Sequence, residues 1–349
     1  MQPLQWASAV AALALVLSFA LAQPAEDESA NFSTEMVLSG LDSPWGLAIR
    51  AGRGKAGPHE LFLAESGAGR VIRVTTDQPG KVRDVVVGFP VSASTTSSAI
   101  HTGPLGLAFL TRTKLLVTGV GGNAGQREVR VYVLPGDDAE LAADSYDHLA
   151  SAARSGAELR DLWAVVTSPA AAYFTAGGVQ GEGWIFQAKL EANRLEALRP
   201  FVSPRRGGDL MNPAGITLTP ADRPPFLVVA DEGSFDTPHD SRLIFYTLET
   251  GSLALRLSTG LDDVTALAYS PSGQLYALDR ARNETGQGGV YRLDDVRHEG
   301  RQACRAVKIA AVVSGVSMAF APDGALYVTS LGKGENSKQG ALTKITGEF

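Results

Sequence analysis

A pattern of three short hydrophobic runs recurs along the 349-residue chain. It reads SPWGLAIR, LFLAES and GRVIRV between residues 43 and 74, and GPLGLAF, KLLVTGV and REVRVYVL between residues 103 and 134. A copy near the C-terminus reads VSMAFAPDG, ALYVTS and GALTKI. The runs are bounded by Gly, Pro, Asp or Ser, which indicates successive antiparallel strands joined by turns. The repetition therefore predicts one continuous array of similar units.

A small residue within the first strand of each copy sets the register of the repeats. Successive anchors are 60, 58, 51, 51 and 51 residues apart. This period accommodates four short strands and is too long for a leucine-rich or helical-hairpin repeat. We therefore predict an all-β fold, a six-bladed β-propeller of four-stranded blades. The anchors are Gly46, Gly106, Ala164, Gly215, Ala266 and Ser317.

Small anchors are expected where six inner strands converge on one axis, because bulky side chains pointing inward would collide.

A ring of blades must also be closed where the two ends of the chain meet. Residues 35–41 resemble the outer strands of later copies, whereas the last copy stops one strand short, at residues 343–345. The N-terminal strand is therefore predicted to complete the last blade and to leave no unpaired seam in the ring.

The N-terminal region has the composition of an export signal. Residues 1–22 contain an apolar run that ends in Ala20-Leu21-Ala22, a small-x-small cleavage pattern. We predict a secretory signal peptide and hence a secreted, extracytoplasmic protein; an uncleaved anchor is the alternative. No later stretch reaches the ~20 apolar residues of a membrane span. Residues 23–33 are polar and acidic and are expected to form a flexible tail.

Residues 34–349 are predicted to form a single propeller domain with one insert, at 135–161. Tyr146, Leu149 and Ala153 recur there at helical spacing, which predicts a short helix packed outside the ring.

The formal charge of -6 and the pI near 5.5 argue against a nucleic-acid partner. The single cysteine cannot form an intrachain disulfide, so the fold must depend on packing and ring closure. We expect a monomer.

The repeated wording resembles a known group of propellers. PWGLAI with LFLAESGAGRVIRV, and NPAGITL with FLVVADEG and RLIFYTL, resemble the secreted NHL-repeat and gluconolactonase-like propellers, and also the sorbosone dehydrogenase-like propellers. The resemblance covers nearly all of the chain after the signal peptide. It implies a six-bladed scaffold whose members include lactonases that use a divalent cation, quinone-dependent sugar dehydrogenases and proteins that only bind.

Candidate site residues lie on one face of the predicted ring, where first strands begin and second strands end. Three second strands end in carboxylates, and such a column would attract a divalent cation such as Ca²⁺, with Asn212 as an additional oxygen ligand. The alternative is that these side chains are solvated or paired with neighbours such as Arg280. The predicted binding residues are Glu65, Asn212, Asp231, Asp263 and Asp279, of which Glu65, Asp231 and Asp279 are the metal candidates.

Three functions remain open on this basis. The first is binding of a small molecule or an extracellular protein on the loop-rich face, without catalysis. The second is a metal-dependent lactonase-type hydrolase in which Asp231 activates water. The third follows from the resemblance, since sorbosone dehydrogenase-like enzymes carry a rim histidine that abstracts a sugar hydroxyl proton, and His101 precedes GPLGLAF. A histidine that is hydrogen-bonded to neighbours or exposed to solvent, without a catalytic role, is the alternative at this position.

Overall fold

A computed structural model describes residues 26–52, 57–93, 101–120, 128–136, 139–152, 159–178, 181–204, 210–282, 286–331 and 337–349. The signal peptide predicted at 1–22 lies outside these residues. None of the helices in the described ranges has the length and apolar character that crossing a bilayer requires. The fold is built from strands, with 3-10 turns at Ser29–Asn31 and Ser337–Gln339.

The strands follow the hydrophobic runs of the sequence. The first half of the chain contains β1 (Glu26–Asp27), β2 (Ser33–Leu41), β3 (Pro44–Arg50), β4 (Glu60–Glu65), β5 (Arg70–Thr75), β6 (Gln78–Val87), β7 (Ser92–Ala93), β8 (His101–Thr102), β9 (Leu107–Thr111), β10 (Lys114–Val120), β11 (Glu128–Val133), β12 (Leu141–Ala142), β13 (His148–Ser151), β14 (Leu159–Thr167), β15 (Ala171–Gly178), β16 (Gly183–Glu191), β17 (Arg194–Leu195) and β18 (Arg199–Val202). The second half contains β19 (Pro213–Leu218), β20 (Phe226–Asp231), β21 (Arg242–Thr247), β22 (Leu253–Ser258), β23 (Val264–Tyr269), β24 (Leu275–Asp279), β25 (Gly289–His298), β26 (Arg301–Ala311), β27 (Gly315–Phe320), β28 (Leu326–Ser330) and β29 (Gly340–Thr346).

These strands pair into six small sheets, one for each blade, and β7 and β8 form a separate ribbon. Blade one is β3 to β6, and blade two is β9, β10, β11 and β13. Blade three is β14 to β18, blade four β19 to β22, and blade five β23 to β26. Blade six is β27 to β29 together with β2. The predicted six-bladed β-propeller is confirmed.

The ring closes as the sequence predicts. β2 runs antiparallel to β29, from Ser33 opposite Thr346 to Leu41 opposite Gly340. Beside this pair, the Phe349 ring lies 5.1 Å from the Phe32 ring and 4.9 Å from the Phe320 ring, centroid to centroid. Main-chain pairing and aromatic packing therefore fasten the N-terminal strand to the last blade.

The insert differs from the prediction. Over the described residues 139–152 it forms β12, which pairs parallel to β6 of blade one, and β13, the outer strand of blade two. His148 and Ala150 are buried and Leu149 is exposed, which is the two-residue alternation of a strand. The helical spacing that began at Tyr146 and Leu149 was misleading, because an unpaired β11 edge was available to this segment; Ala153 lies outside the described residues.

Part of the predicted flexible tail is also docked on the propeller. β1 pairs parallel to β26, the outer strand of blade five. Arg292 of that blade donates hydrogen bonds from Nη1 and Nη2 to the carboxylate of Glu28, at 2.6 and 3.1 Å. Residues 26–33 therefore extend blade five and the closure, while 23–25 lie outside the described residues.

The apolar core is divided among the seams between neighbouring blades. In one cluster, Phe62 and Val71 of blade one pack with Leu115 and Tyr132 of blade two. The described residues form one such cluster at each of the six seams. Burial of apolar surface between blades therefore stabilises the ring as a whole, since each of these clusters draws its residues from two neighbouring blades.

The anchors are small because adjacent inner strands nearly touch. A methyl group on Gly46 would overlap the carbonyl oxygen of Leu105 in blade two. On Gly106 it would lie 2.7 Å from the carbonyl oxygen of Trp163, and on Gly215 it would lie 2.9 Å from Ala266 Cα. The predicted steric restriction is therefore present, but it is imposed by the backbone of the next blade and not by side chains meeting on the axis.

We expect Gly46→Ala to lower the free energy of unfolding by about 3 kcal/mol, because the added Cβ must push the inner strands apart. Gly80→Ala on the outer strand of blade one is the matched control. No described atom lies within 4 Å of a Cβ at position 80, so a change below about 0.5 kcal/mol is expected. Denaturant unfolding of both variants measures the difference; equal stabilities would contradict the proposed role of the anchor.

Candidate functional site

One face of the ring, here called the mouth, gathers the beginnings of first strands and the ends of second strands. The strand register shows this directly, since Pro44 lies opposite Glu65, Pro213 opposite Asp231 and Val264 opposite Asp279. The structure thus places the predicted site residues on one face. It does not place the carboxylates in one shared site.

Each predicted metal carboxylate instead binds the backbone of its own blade. Glu65, 2% exposed, accepts the N–H of Asp42 at 2.8 Å, and its other oxygen accepts Arg70 Nε at 2.7 Å. Asp231, 0% exposed, accepts the N–H groups of Met211 and Asn212, the latter at 2.7 Å.

Asp279 of blade five repeats the arrangement. It accepts the N–H groups of Asp263 at 2.8 Å, Ala281 at 3.1 Å and Asp262 at 3.2 Å. In all three blades the carboxylate at the end of the second strand fixes the segment that leads into the first strand. These side chains act as backbone clamps.

The clamps do not fit the predicted Ca²⁺ site. Within the described ranges, no three His, Cys, Asp or Glu side chains are grouped so that they could hold a metal ion, so Glu65, Asp231 and Asp279 do not form such a set. Their oxygens already accept N–H donors, and Asn212 donates its amide N–H to the carbonyl oxygen of Gly233 at 2.6 Å. Carboxylates on different blades each have local partners in this structure, and the shared cation stays a prediction.

In blades two and three a threonine near the end of the second strand binds the N–H of the anchor residue. Thr118 Oγ1 accepts the N–H of Gly106 at 2.8 Å and donates to the carbonyl oxygen of Leu162 in blade three at 2.9 Å. Thr175 Oγ1 accepts the N–H of Ala164 at 3.1 Å and donates to blade four. These hydroxyl groups therefore link the inner strands of adjacent blades, whereas the carboxylates bind within one blade.

A different cluster lies at the seam between blades four and five. Arg282 Nη1 donates to Asp263 Oδ1 at 2.8 Å, and Arg282 Nη2 donates to Glu232 Oε1 at 3.2 Å. The guanidinium carbon also lies 4.4 Å from the centroid of the Phe235 ring. We call Glu232, Phe235, Asp263 and Arg282 the mouth cluster. It joins two blades through partly exposed groups, since the Arg282 side chain is 24% and Phe235 45% exposed.

Glu232 has the most unusual surroundings in the mouth cluster. Among the described residues its carboxylate accepts hydrogen bonds from Arg282 alone, and the residue is 6% exposed. Burial raises the pKa of Glu232, and the guanidinium groups of Arg282 and Arg280 only partly oppose this. Glu232 was not among the residues predicted from the sequence, although it directly follows Asp231 in VVADEG.

Large side chains from alternate blades meet at the axis. The indole of Trp45 in blade one lies 5.4 Å from that of Trp163 in blade three, with a tilt of 31° between the rings. The guanidinium carbon of Arg280 in blade five lies 5.7 Å from the Trp45 ring centroid, and Arg280 is 1% exposed. Arg280, considered from the sequence as a neighbour of the acidic column, thus contacts an indole across the ring.

The remaining predicted residues fall into two groups. Asp263 belongs to the mouth cluster, and it also accepts the backbone N–H of Arg282 at 2.7 Å. His101 begins β8, and its side chain is outside the described part of the structure. Its predicted role as a proton acceptor therefore stays a prediction.

Comparison with known proteins agrees with the fold. An oxidoreductase (glucose dehydrogenase) from Thermus thermophilus is 18% identical with a TM-score of 0.59, over 90% of this chain and 100% of that one. A second glucose dehydrogenase is 14% identical with a TM-score of 0.52, over 90% and 100% of the two chains. No family model and no curated protein matches the sequence. At these identities the likeness shows the six-bladed propeller and nothing finer.

Burial raises the pKa of Asp279 to about 6, against the opposing effect of its backbone N–H donors. The folded protein then binds this proton more tightly than the unfolded chain. The Asp279 carboxyl therefore stabilises the fold fully below pH ~4, and this stabilisation is lost as the pH rises through ~6.

We therefore expect the stability of the wild type relative to Asp279→Asn to fall by about 2 kcal/mol between pH 4 and pH 7. The variant cannot ionise, so subtracting its unfolding free energy cancels the titration of other groups. Urea denaturation at several pH values gives the difference. A difference that does not change with pH would show that Asp279 titrates equally in both states.

Proposed function

We propose that the protein binds a small polyhydroxylated molecule at the mouth, with Arg282, Glu232 and Asp263 as its polar contacts. The mouth cluster is the observation that carries the proposal. Glu232 accepts no backbone N–H among the described residues, so it does not fix a blade as Asp231 does. Burying an ion pair is weak support for stability, because the desolvation cost offsets the attraction between the charges. A role in binding accounts for a buried carboxylate at this place.

The chemistry of the cluster favours hydroxyl groups over strongly charged ligands. A guanidinium group offers several N–H donors in one plane, and carboxylates accept, so together they can bind neighbouring hydroxyl groups. The carboxylates of Glu232 and Asp263 beside Arg282 add hydrogen-bond acceptors, which a hydroxyl group can use and a phosphate dianion, having no donor, cannot. Two proteins of the same fold are described as glucose dehydrogenases, which supports sugars as the first ligands to examine.

Oxidation of a bound sugar is a second candidate, favoured by the same two likenesses. It requires an electron acceptor such as a quinone. One assay distinguishes binding alone from oxidation: the protein is supplied with sugars, pyrroloquinoline quinone, Ca²⁺ and a redox dye together. Dye reduction would establish catalysis, while binding without reduction would support the first candidate.

We also propose that the protein acts outside the cytoplasm, as a monomer, after removal of residues 1–22. The small-x-small pattern before Gln23 supports export and cleavage after residue 22. A small extracellular molecule is then the ligand that the mouth would meet, and a protein partner at the same face is the alternative.

We expect Arg282→Gln to weaken ligand binding about tenfold to a hundredfold, because it removes charge-assisted hydrogen bonds. Arg297→Gln is the control, since Arg297 lies at the exposed end of β25, on an outer hairpin. Titration calorimetry with a panel of sugars and sugar alcohols measures both variants, and thermal denaturation checks that they fold. If the wild type binds no member of the panel, or if both variants bind as the wild type does, the proposal is wrong.

We expect the exported protein to begin at Gln23. Mass spectrometry of the protein recovered outside the cytoplasm determines this directly. Ala22→Arg should block processing, because the cleavage site requires a small residue at that position. Exported wild-type protein that still carries Met1 would support the uncleaved anchor, and retention in the cytoplasm would contradict export.

A further inference from the structure

The two sides of the mouth differ in chemistry. In blades four and five the second strands end in Asp231 and Asp279, next to the mouth cluster. In blades two and three the corresponding positions are Gly119 and Ala176, and Gly177 follows Ala176. The charged groups just described are therefore concentrated on one side of the axis.

The small residues of blades two and three make room for large apolar side chains. A Cβ on Gly119 would lie 2.6 Å from Leu105 Cγ, so the Leu105 side chain occupies this space. A Cβ on Gly177 would lie 3.3 Å from Trp163 Nε1. Asp161 at the start of blade three is only 7% exposed. Among the described residues, the space beside these small residues is therefore filled by the Leu105 side chain and the Trp163 indole.

Two indoles cover the boundary between the two sides. Trp163 and Trp45 are both partly exposed, whereas Leu105 is fully buried. Trp45 lies between the Trp163 indole and the Arg280 guanidinium. The exposed parts of these two tilted, overlapping indoles thus offer apolar surface next to a cationic group of the charged side.

We propose, on the basis of the proposed function, that the ligand is amphipathic. Its hydroxylated part contacts the mouth cluster, and a flat aromatic or apolar ring attached to that part packs on Trp163 and Trp45. Aryl glycosides have this chemistry, and free sugars do not. The competing explanation is that the indoles only fill the axis and contact no ligand.

The charged side alone cannot distinguish a free sugar from an aryl glycoside. The indoles can, because contact between aromatic rings adds to the free energy of burying them. For a ring of phenyl size we expect a gain in affinity of about tenfold over a methyl group.

The experiment compares phenyl and methyl glycosides of the same sugars, so that each pair differs only in the aglycone. Calorimetry gives the affinities, and indole fluorescence reports contact with the tryptophans. The variant is Trp163→Leu, and Trp184→Leu is the matched control, since Trp184 lies on the third strand of the same blade and stacks on Phe186.

We expect phenyl glycosides to bind the wild type and the control about tenfold more tightly than methyl glycosides, and to quench indole fluorescence. Trp163→Leu should abolish this difference between the two series. Equal affinities of both series for the wild type, or a phenyl preference that survives in Trp163→Leu, would overturn the amphipathic ligand while leaving the proposed function intact. If Trp163→Leu fails to fold, the wild-type ratio and the quenching decide. Binding of neither series would contradict the proposed function itself.

Discussion

The close approach of neighbouring inner strands governs this structure. At Gly46 and Gly106 the backbone of one blade lies where a side chain of the other would be, so the two strands can touch only if the anchor is small. The apolar clusters between blades can form only at that separation. Both the packing of the seams and the position of the mouth therefore depend on a few residues without bulky side chains.

The backbone N–H groups of these closely spaced strands also need hydrogen-bond acceptors. The chain provides two kinds of acceptor. Blades one, four and five use a carboxylate at the end of the second strand, and blades two and three use a threonine one position earlier. The carboxylate closes the blade on itself, whereas Thr118 and Thr175 also reach the next blade. The carboxylates therefore order the segment that leads into the first strand, whereas the threonines bind the N–H of the anchor residue itself.

The sequence was sufficient for the scaffold because the repeat imposes a register, and register fixes blade number, strand order and closure. It was insufficient for the site because a carboxylate after a strand has the same sequence pattern whether it binds a cation or a backbone N–H. Glu232 escaped notice because it lies one residue beyond the repeated position. The contact between Trp45 and Trp163 joins blades that are not adjacent, so no local pattern reports it. The helix predicted in the insert failed because pairing with β11 outweighed a weak helical spacing.

The contacts across the axis change how the ring can deform. In an open ring, a displacement in blade five reaches blade three only by passing through blade four or around the other side. Here Trp45 of blade one contacts both Arg280 of blade five and Trp163 of blade three, so these three blades are connected through the centre. Displacing the loop that carries Arg280 would therefore also cost contacts with blade one, in addition to those with the adjacent blades.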